Sequence, residues 1–313
     1  MLIFLLFYLH LSIKKFIYNP CKVLLILMDI SSLLIFAFGI VLLPLVFTRM
    51  INVGSLRKNP YLALVMAGFF VLIGFIAAFF IFSSAMSLIM LAFSSLLMLP
   101  FLIKLLEKEV PEERTVKNKK RNRLYDWFSP SNLSRIFERH NLLIKVYIFL
   151  FFGMALEYAL LFAVLQPSIG DYAFQHQLSL FGPAGQFFSS DIFSQIVENN
   201  LQIAIVSFAL SIFYGAGSIL ILNYNASIVG VMYGSSFRTL IWGTPLFYSN
   251  ILLYIPHTVI EITAYLLAAV AGGLLVKGLR KDIIHDAAVL FALSIILILI
   301  GGYVESIMLA GIA

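Results

Sequence analysis

Residues 249–276 read SNILLYIPHTVIEITAYLLAAVAGGLLV, an apolar run interrupted by one histidine, His257, and one glutamate, Glu261. About 20 helical residues, each rising roughly 1.5 Å, cross the hydrocarbon layer of a bilayer, so this run predicts a membrane-spanning helix. His257, Glu261 and Tyr265 are spaced i, i+4, i+8 and therefore share one face of that helix. The stretch predicts a helix in lipid that carries a polar face.

Similar apolar windows occur along the rest of the chain. Together with 249–276 they cover 23–47, 60–82, 86–104, 143–165, 201–222, 226–243 and 287–311, and 226–243 is the weakest because it contains Arg238. Hydrophobic residues make up 62% of the chain and charged residues 12%, with a mean hydropathy of +1.02. Soluble domains are about half apolar and a quarter charged. We predict an all-α fold, a polytopic transmembrane helical bundle of about 7–8 spans.

The charge distribution predicts both topology and domain limits. Eleven of the 21 Lys and Arg residues lie between Lys104 and Lys145, whereas the loop 166–200 has none. The positive-inside rule places 105–142 in the cytoplasm of a multi-pass cell-membrane protein, with 166–200 and the C-terminus outside. We predict an N-terminal membrane segment at 1–58, a transmembrane helical hairpin at 59–105, a basic cytoplasmic linker at 106–142 and a five-span membrane domain at 143–313.

The topology of residues 1–47 has two alternatives. A single span at 23–47 would place Lys14, Lys15 and Lys22 outside, against the positive-inside rule. Either 23–47 forms a re-entrant hairpin with 1–13 in the interface, or the N-terminus lies outside and violates the rule.

Several function classes lack their signatures. There is no P-loop, no Rossmann glycine fingerprint, no HExxH and no GxSxG, so we expect neither an enzyme nor a cofactor. The basic loop lacks a nucleic-acid recognition motif, and we expect no nucleic-acid partner. The single cysteine, Cys21, excludes a multi-cysteine metal site, and we expect no metal.

Ionisable groups inside spans mark the candidate functional site, because they are costly in lipid and usually face the bundle interior. The candidate intramembrane polar site comprises His257, Glu261, Tyr265 and, from the span 143–165, Glu157. These groups have three alternative roles: mutual structural pairing, proton or ion handling, and binding of a partner or ligand. Glu305 is expected to reach the interface from near a span end, and Asp286 to initiate the last helix.

Small residues predict where helices approach closely. Gly or Ala at small-xxx-small spacing lets helix backbones pack in lipid. The predicted packing residues are Gly215, Gly217, Gly230, Gly234, Ala268 and Gly272. Asn223–Asn225 is predicted to form a turn between two spans, and residues 192–201 a short surface helix leading into the next span.

Four motifs carry a resemblance to a known family. They are ENN at 198–200, FYGAGS at 213–218, NASIVG at 225–230 and PHTVIEITAYLLAAVAGG at 256–273. Together they resemble the stage II sporulation protein M family over about 143–313, with Asn200, Asn225, Pro256, His257 and Glu261 as motif residues. The preceding hairpin and charged linker look like those of longer archaeal members, whereas 1–47 matches nothing.

The resemblance implies a membrane component with envelope partners. In endospore-forming bacteria the similar protein holds stage II sporulation proteins D and P, which remodel peptidoglycan, but relatives also occur where no spores form. We therefore expect a non-enzymatic scaffold that recruits other membrane or envelope proteins within the lipid bilayer and can form a homo-oligomer. The alternative is a permease-like transport subunit that uses His257, Glu261 and Glu157. Convergence of Glu157, Glu261 and His257 around one continuous pocket would favour transport, whereas mutual salt bridges in a dry core would favour the scaffold.

Overall fold

A computed structural model describes residues 53–81, 85–109, 127–180, 192–244, 254–276, 278 and 280–312. Within these ranges all regular structure is helical, which confirms the predicted fold class. The helices are α1 (Val53–Lys58), α2 (Leu62–Ile81), α3 (Met86–Glu109), α4 (Pro130–Arg139), α5 (Asn141–Val164), α6 (Pro167–Ala173), α7 (Gln175–Leu180), α8 (Ile192–Tyr214), α9 (Ile219–Trp242), α10 (Ile255–Leu275) and α11 (Lys281–Ile312).

Six of these helices are long and apolar enough to cross a membrane: α2, α3, α5, α8, α10 and α11, counted over the described ranges. Helix α9 is equally long but less apolar, and it contains the weakest predicted window. The window 23–47, the N-terminal alternatives and residues 110–126 of the basic linker lie outside the described residues. The chain is therefore a polytopic helical membrane protein.

The long helices form two groups. Helices α2, α3, α5 and α9 pack together, with α5 held between α2 and α9. Helices α8, α10 and α11 pack against one another, and α10 contacts both of its neighbours extensively. Contacts between the groups are sparser and join α9 to α8 and α10, and α5 to α10. This boundary, called the seam below, positions the candidate site.

Glycines allow the closest helix contacts. A Cβ on Gly230 would lie 2.6 Å from the carbonyl oxygen of Ala155, and one on Gly234 would lie 2.7 Å from that of Ala159, so α9 rests on the α5 backbone. Gly272 of α10 similarly faces the Phe208 backbone of α8, beside the buried Ala268. Small residues at these positions allow close van der Waals packing, which stabilises helix contacts in lipid, where the hydrophobic effect does not.

The turn between α8 and α9 lies elsewhere than predicted. Asn223–Asn225 is inside α9, and the chain reverses at Gly215–Ser218, so the predicted turn is wrong. Gly215 has φ +69°, and a Cβ there would meet nothing nearer than 3.8 Å. Gly215 therefore provides left-handed backbone at a helix break rather than a packing surface. The predicted surface helix is the first part of α8, which runs unbroken from Ile192.

Polar contacts attach the peripheral segments to the bundle. Arg238 of α9 donates to Asp171 Oδ1 at 2.7 Å and to the Pro167 carbonyl at 2.9 Å, which fixes α6. Asp286 lies near the start of α11 as expected, but its carboxylate accepts hydrogen bonds from Arg139 at 2.6 Å and His140 at 2.9 Å. Asp286 thus links α11 to the junction of α4 and α5.

Candidate functional site

Two glutamates from different helices of the second group meet beside the seam. Glu261 of α10 shares a side-chain hydrogen bond with Glu305 of α11. One ligand atom each of His257, Glu261 and Glu305 lies within 4.8 Å of the other two; we call these three residues the His–Glu cluster. A Cβ on Gly301 would lie 2.9 Å from Glu261 Cγ, so this glycine of α11 leaves room for the Glu261 side chain.

A hydrogen-bonded chain orients Glu261. The Tyr265 hydroxyl donates to Asn200 Oδ1 at 2.7 Å, and Asn200 Nδ2 donates to Glu261 Oε1 at 2.5 Å. Both Tyr265 and Asn200 are buried. Since buried polar groups without partners are costly, this chain holds α8 and α10 in one register.

A cavity of about 570 Å³ opens beside Glu261 and Glu305. Its walls come from α8, α9, α10 and α11, with Leu180 of α7, and are mostly apolar. Its polar lining consists of Gln195, Asn199, Asn200, Tyr224, Asn225, Thr258, Glu261, Tyr265 and Glu305. No Lys, Arg or His is among the described residues that line it.

The depth of the site follows from helix positions. Glu261 is six residues after Ile255, the first residue of α10, which corresponds to about 9 Å along the helix axis. The site lies towards the ends of these helices at which α8 and α10 begin and α11 ends. Both glutamates are half-buried, so they face the cavity rather than a dry core.

His257 is the member of the His–Glu cluster nearest the start of α10. Its side chain is 6% exposed, and its Nδ1 has no hydrogen-bond partner among the described residues. The Tyr254 ring packs edge-on against the imidazole at 5.7 Å. Pro256 is in the first turn, where its missing amide hydrogen is not needed.

The predicted polar site is only partly assembled. His257, Glu261 and Tyr265 come together, but Glu157 lies apart at the contact of α5 with α2, where a Cβ on Gly68 would be 3.5 Å from its Oε2. Glu305 joins the cluster instead of reaching the interface as expected. The adjacent Gly301–Gly302 pair was the available signal, since it allows close approach at that level of α11.

A second polar cluster was not anticipated from the sequence. Asn223 Nδ2 faces Ser94 Oγ at 2.7 Å, Ser95 Oγ at 2.9 Å and the Leu91 carbonyl oxygen at 3.1 Å. The Tyr158 hydroxyl donates to Asn223 Oδ1 at 2.9 Å. This network joins α3, α5 and α9, and its satisfied donors and acceptors indicate a structural role.

Comparison with known proteins agrees with the motifs. The family model for stage II sporulation protein M matches residues 140–308, which is more than half of the chain. An uncharacterized protein of Methanocaldococcus jannaschii is 34% identical over 125 residues, covering 36% of this chain and 68% of that protein. No solved structure matches the chain. The chain belongs to the stage II sporulation protein M family.

Proposed function

We propose that this protein is a permease-like membrane transport subunit that admits a cation to the cavity beside Glu261 and Glu305. The convergence given above as the criterion for transport is not met, because Glu157 lies at the contact of α5 with α2 and His257 is not among the residues that line the cavity. The observation that carries the proposal is instead the meeting of two acidic side chains, Glu261 and Glu305, from two helices, at a cavity whose described lining has no basic residue. The proposed role is non-enzymatic.

Electrostatics favours a cationic occupant. Two carboxylates at this separation repel each other strongly in a low-dielectric region unless a proton or a cation lies between them. An ionised side chain within a span is costly in lipid even when it lies nearer the end of the helix than the centre. No salt-bridge partner from Lys or Arg offsets this cost for either glutamate within the described residues. A bound cation would offset this cost.

The position of the cavity favours movement of that cation over static packing. A scaffold needs stable helix contacts, which salt bridges or satisfied amides such as Asn223 supply. The glutamates instead face a cavity lined by α9 of the first group and by α8, α10 and α11 of the second, and contacts between the two groups are sparser than contacts within them. Transporters place their sites between such groups, because relative movement then exposes the site to either side. The scaffold role with envelope partners stays a prediction.

Charge movement in proteoliposomes tests the proposal. Purified full-length protein is reconstituted, and currents are recorded on a solid-supported membrane after concentration jumps of Na⁺, K⁺, Mg²⁺, Mn²⁺ and Zn²⁺ in turn. We expect a current with at least one ion, and its loss in both Glu261→Gln and Glu305→Gln. Glu157→Gln is the matched control, because it neutralises a half-buried glutamate outside the cavity and should leave the current unchanged.

Two results would contradict transport. One is the absence of current with every ion tested in wild-type proteoliposomes that contain folded protein. The other is an unchanged current in both Glu261→Gln and Glu305→Gln. A Glu261→Gln variant that also retained wild-type co-purifying proteins and cellular phenotype would favour the scaffold instead.

A further inference from the structure

We infer that the His–Glu cluster binds a divalent transition-metal ion of the Zn²⁺ or Mn²⁺ type. The inference rests on the proposed function, since it names the class of cation that the cavity admits. Two glutamates alone would not specify a metal. The imidazole of His257 is the second, independent observation, because it is buried beside them and its Nδ1 lacks a protein partner in the described structure.

The spacing of the three side chains suits a single ion. Two ligand atoms, each about 2.1 Å from one ion at a tetrahedral angle, lie roughly 3.4 Å apart. In the cluster the atoms are within 4.8 Å of one another. Side-chain movements of about an ångström would bring the ligand atoms from their present separation to the separation that one ion requires. Gly301 leaves space beside Glu261 for such movement.

Charge balance selects a divalent ion. When an ion displaces the proton of the Glu261–Glu305 hydrogen bond, the two carboxylates bring two negative charges, and a divalent cation neutralises both. A monovalent cation would leave one net negative charge in a low-dielectric site, which is the more costly arrangement. The absence of Lys and Arg from the described cavity lining leaves this neutralisation to the ligand.

Ligand chemistry narrows the class further. Carboxylate oxygens alone suit Mg²⁺ and Ca²⁺, whereas an added imidazole nitrogen favours Zn²⁺ and its first-row neighbours. Metal-binding groups are usually oriented by a second layer of hydrogen bonds. The chain from Tyr265 through Asn200 to Glu261 provides such a layer at 2.7 Å and 2.5 Å.

The coordination expected here is incomplete, which suits a passing ion. Structural zinc sites use four protein ligands, whereas sites with three keep a position for water. The cluster offers three side chains and adjoins the cavity, so water would complete the coordination and could be exchanged as the ion enters or leaves.

Metal binding by tag-free, full-length protein in detergent tests the inference. Titrations with Zn²⁺ and Mn²⁺ are followed by calorimetry and by the electron paramagnetic resonance of free Mn²⁺. We expect one ion per chain, and at least a 10-fold weaker affinity in each of Glu261→Gln and Glu305→Gln. His257→Gln should weaken Zn²⁺ more than Mn²⁺, because it removes the nitrogen ligand. Glu157→Gln should bind as the wild type does.

Size-exclusion elution establishes that each variant is folded, and the visible spectrum of bound Co²⁺ provides a second readout. We expect that spectrum to differ between wild type and His257→Gln, which alters a residue at the border of the cavity and leaves both carboxylates in place. An unchanged spectrum, or equal affinities in wild type and all three cluster variants, would overturn the inference.

The results separate this inference from the proposed function. Metal binding that depends on the cluster, without any current in proteoliposomes, would support the metal site and contradict transport. Currents carried by Na⁺ or K⁺ and lost in Glu261→Gln, without metal binding, would overturn the metal site and support transport.

Discussion

The orientation of Glu261 depends on two residues that line the same cavity, Asn200 and Tyr265. Tyr265 reaches Glu261 only through Asn200, and both are buried at the contact between α8 and α10. Each donor in this chain has an acceptor, so removing the middle member leaves two polar groups unpaired, whereas removing the first leaves one acceptor partly unpaired.

Asn200→Leu should therefore destabilise the protein more than Tyr265→Phe. We expect a loss of about 1–3 kcal/mol in the free energy of unfolding for Asn200→Leu, and about 0.5–1.5 kcal/mol for Tyr265→Phe. Denaturant unfolding in mild detergent measures both. Thr263→Val is the control, because the Thr263 hydroxyl is exposed and bonds only its own helix. The reverse order of the two losses would show that the chain does not orient Glu261.

Arg238 and Asp171 form an ion pair with unequal burial. The Arg238 side chain is 3% exposed and that of Asp171 is 56% exposed, and the guanidinium also lies 4.4 Å from the centre of the Phe162 ring. Removing the acid leaves a buried cation, whereas removing the base leaves an acid that water can solvate.

Asp171→Asn should consequently destabilise the protein more than Arg238→Met. We expect roughly 1–3 kcal/mol for Asp171→Asn and under about 1 kcal/mol for Arg238→Met, which keeps the apolar stem. Thermal unfolding of the two variants, followed by tryptophan fluorescence or circular dichroism, gives the comparison. Equal losses would mean that the pair acts through the hydrogen bond alone.

At the scale of helices, the contact of α9 with α5 is one of the close backbone contacts in the first group. At Gly230 and Gly234 the α5 backbone fills the space that a Cβ would need, so a methyl group cannot be added without moving one helix. At Gly68 of α2, by contrast, a Cβ would meet its neighbours at ordinary van der Waals distances, the nearest being 3.5 Å away.

Gly230→Ala should destabilise the bundle by about 1–3 kcal/mol, because it overpacks a contact that cannot relax. Gly68→Ala is the matched control and should be neutral or stabilising by up to about 1 kcal/mol, since alanine is the better helix former. The measurement is retention of monodisperse protein after heating in detergent. Wild-type retention for Gly230→Ala would show that α9 and α5 separate readily.

The spans were predictable because a helix needs about 20 apolar residues in a row to cross the lipid, and such windows can be recognised in a single sequence. The shared face of His257, Glu261 and Tyr265 followed from helical periodicity alone. Periodicity did not predict which side chains on other helices contact this face. Asn223 was predicted to lie in a turn because asparagine is common in turns. Inside α9 its side-chain amide is satisfied by Ser94 and Ser95, and these partners could not be predicted because they lie far away in sequence.

The misplacement of Glu305 has a similar cause. Its position near the end of an apolar window predicted an interfacial side chain, but α11 brings it against α10. Which helices adjoin depends on packing between distant segments, and one sequence without covarying relatives does not contain that information. The candidate site was therefore predictable along α10 and not between α10 and α11.

At the scale of the whole molecule, the charge asymmetry predicts that the two helices after α3 and α5 lie on opposite sides of the membrane. Both α4 and α6 begin with proline followed by an exposed serine, Ser131 and Ser168 respectively. These serines occupy equivalent places in their helices, so cysteine introduced at each should be equally accessible on its own side.

Ser131→Cys and Ser168→Cys, each in a Cys21→Ser background, should react with a membrane-impermeant maleimide from opposite sides. In intact cells we expect labelling of the Ser168 variant only, and labelling of both after permeabilisation. Labelling of both in intact cells, or of the Ser131 variant alone, would contradict the orientation.

Helix α8 is the least covered of the six apolar helices, with only 22% of its most apolar window buried within the described structure. Most of its surface is left uncovered by the residues that the structure describes, yet it supplies Asn200 to the site. We expect lipid to cover the uncovered surface of α8, so the bilayer would support the wall of the cavity that α8 forms. Acyl-chain length and lateral pressure act directly on the position of α8, since a helix responds to thickness mismatch by tilting. Affinity at the site should consequently vary with lipid composition, and detergents of different chain length should yield different constants for one and the same protein.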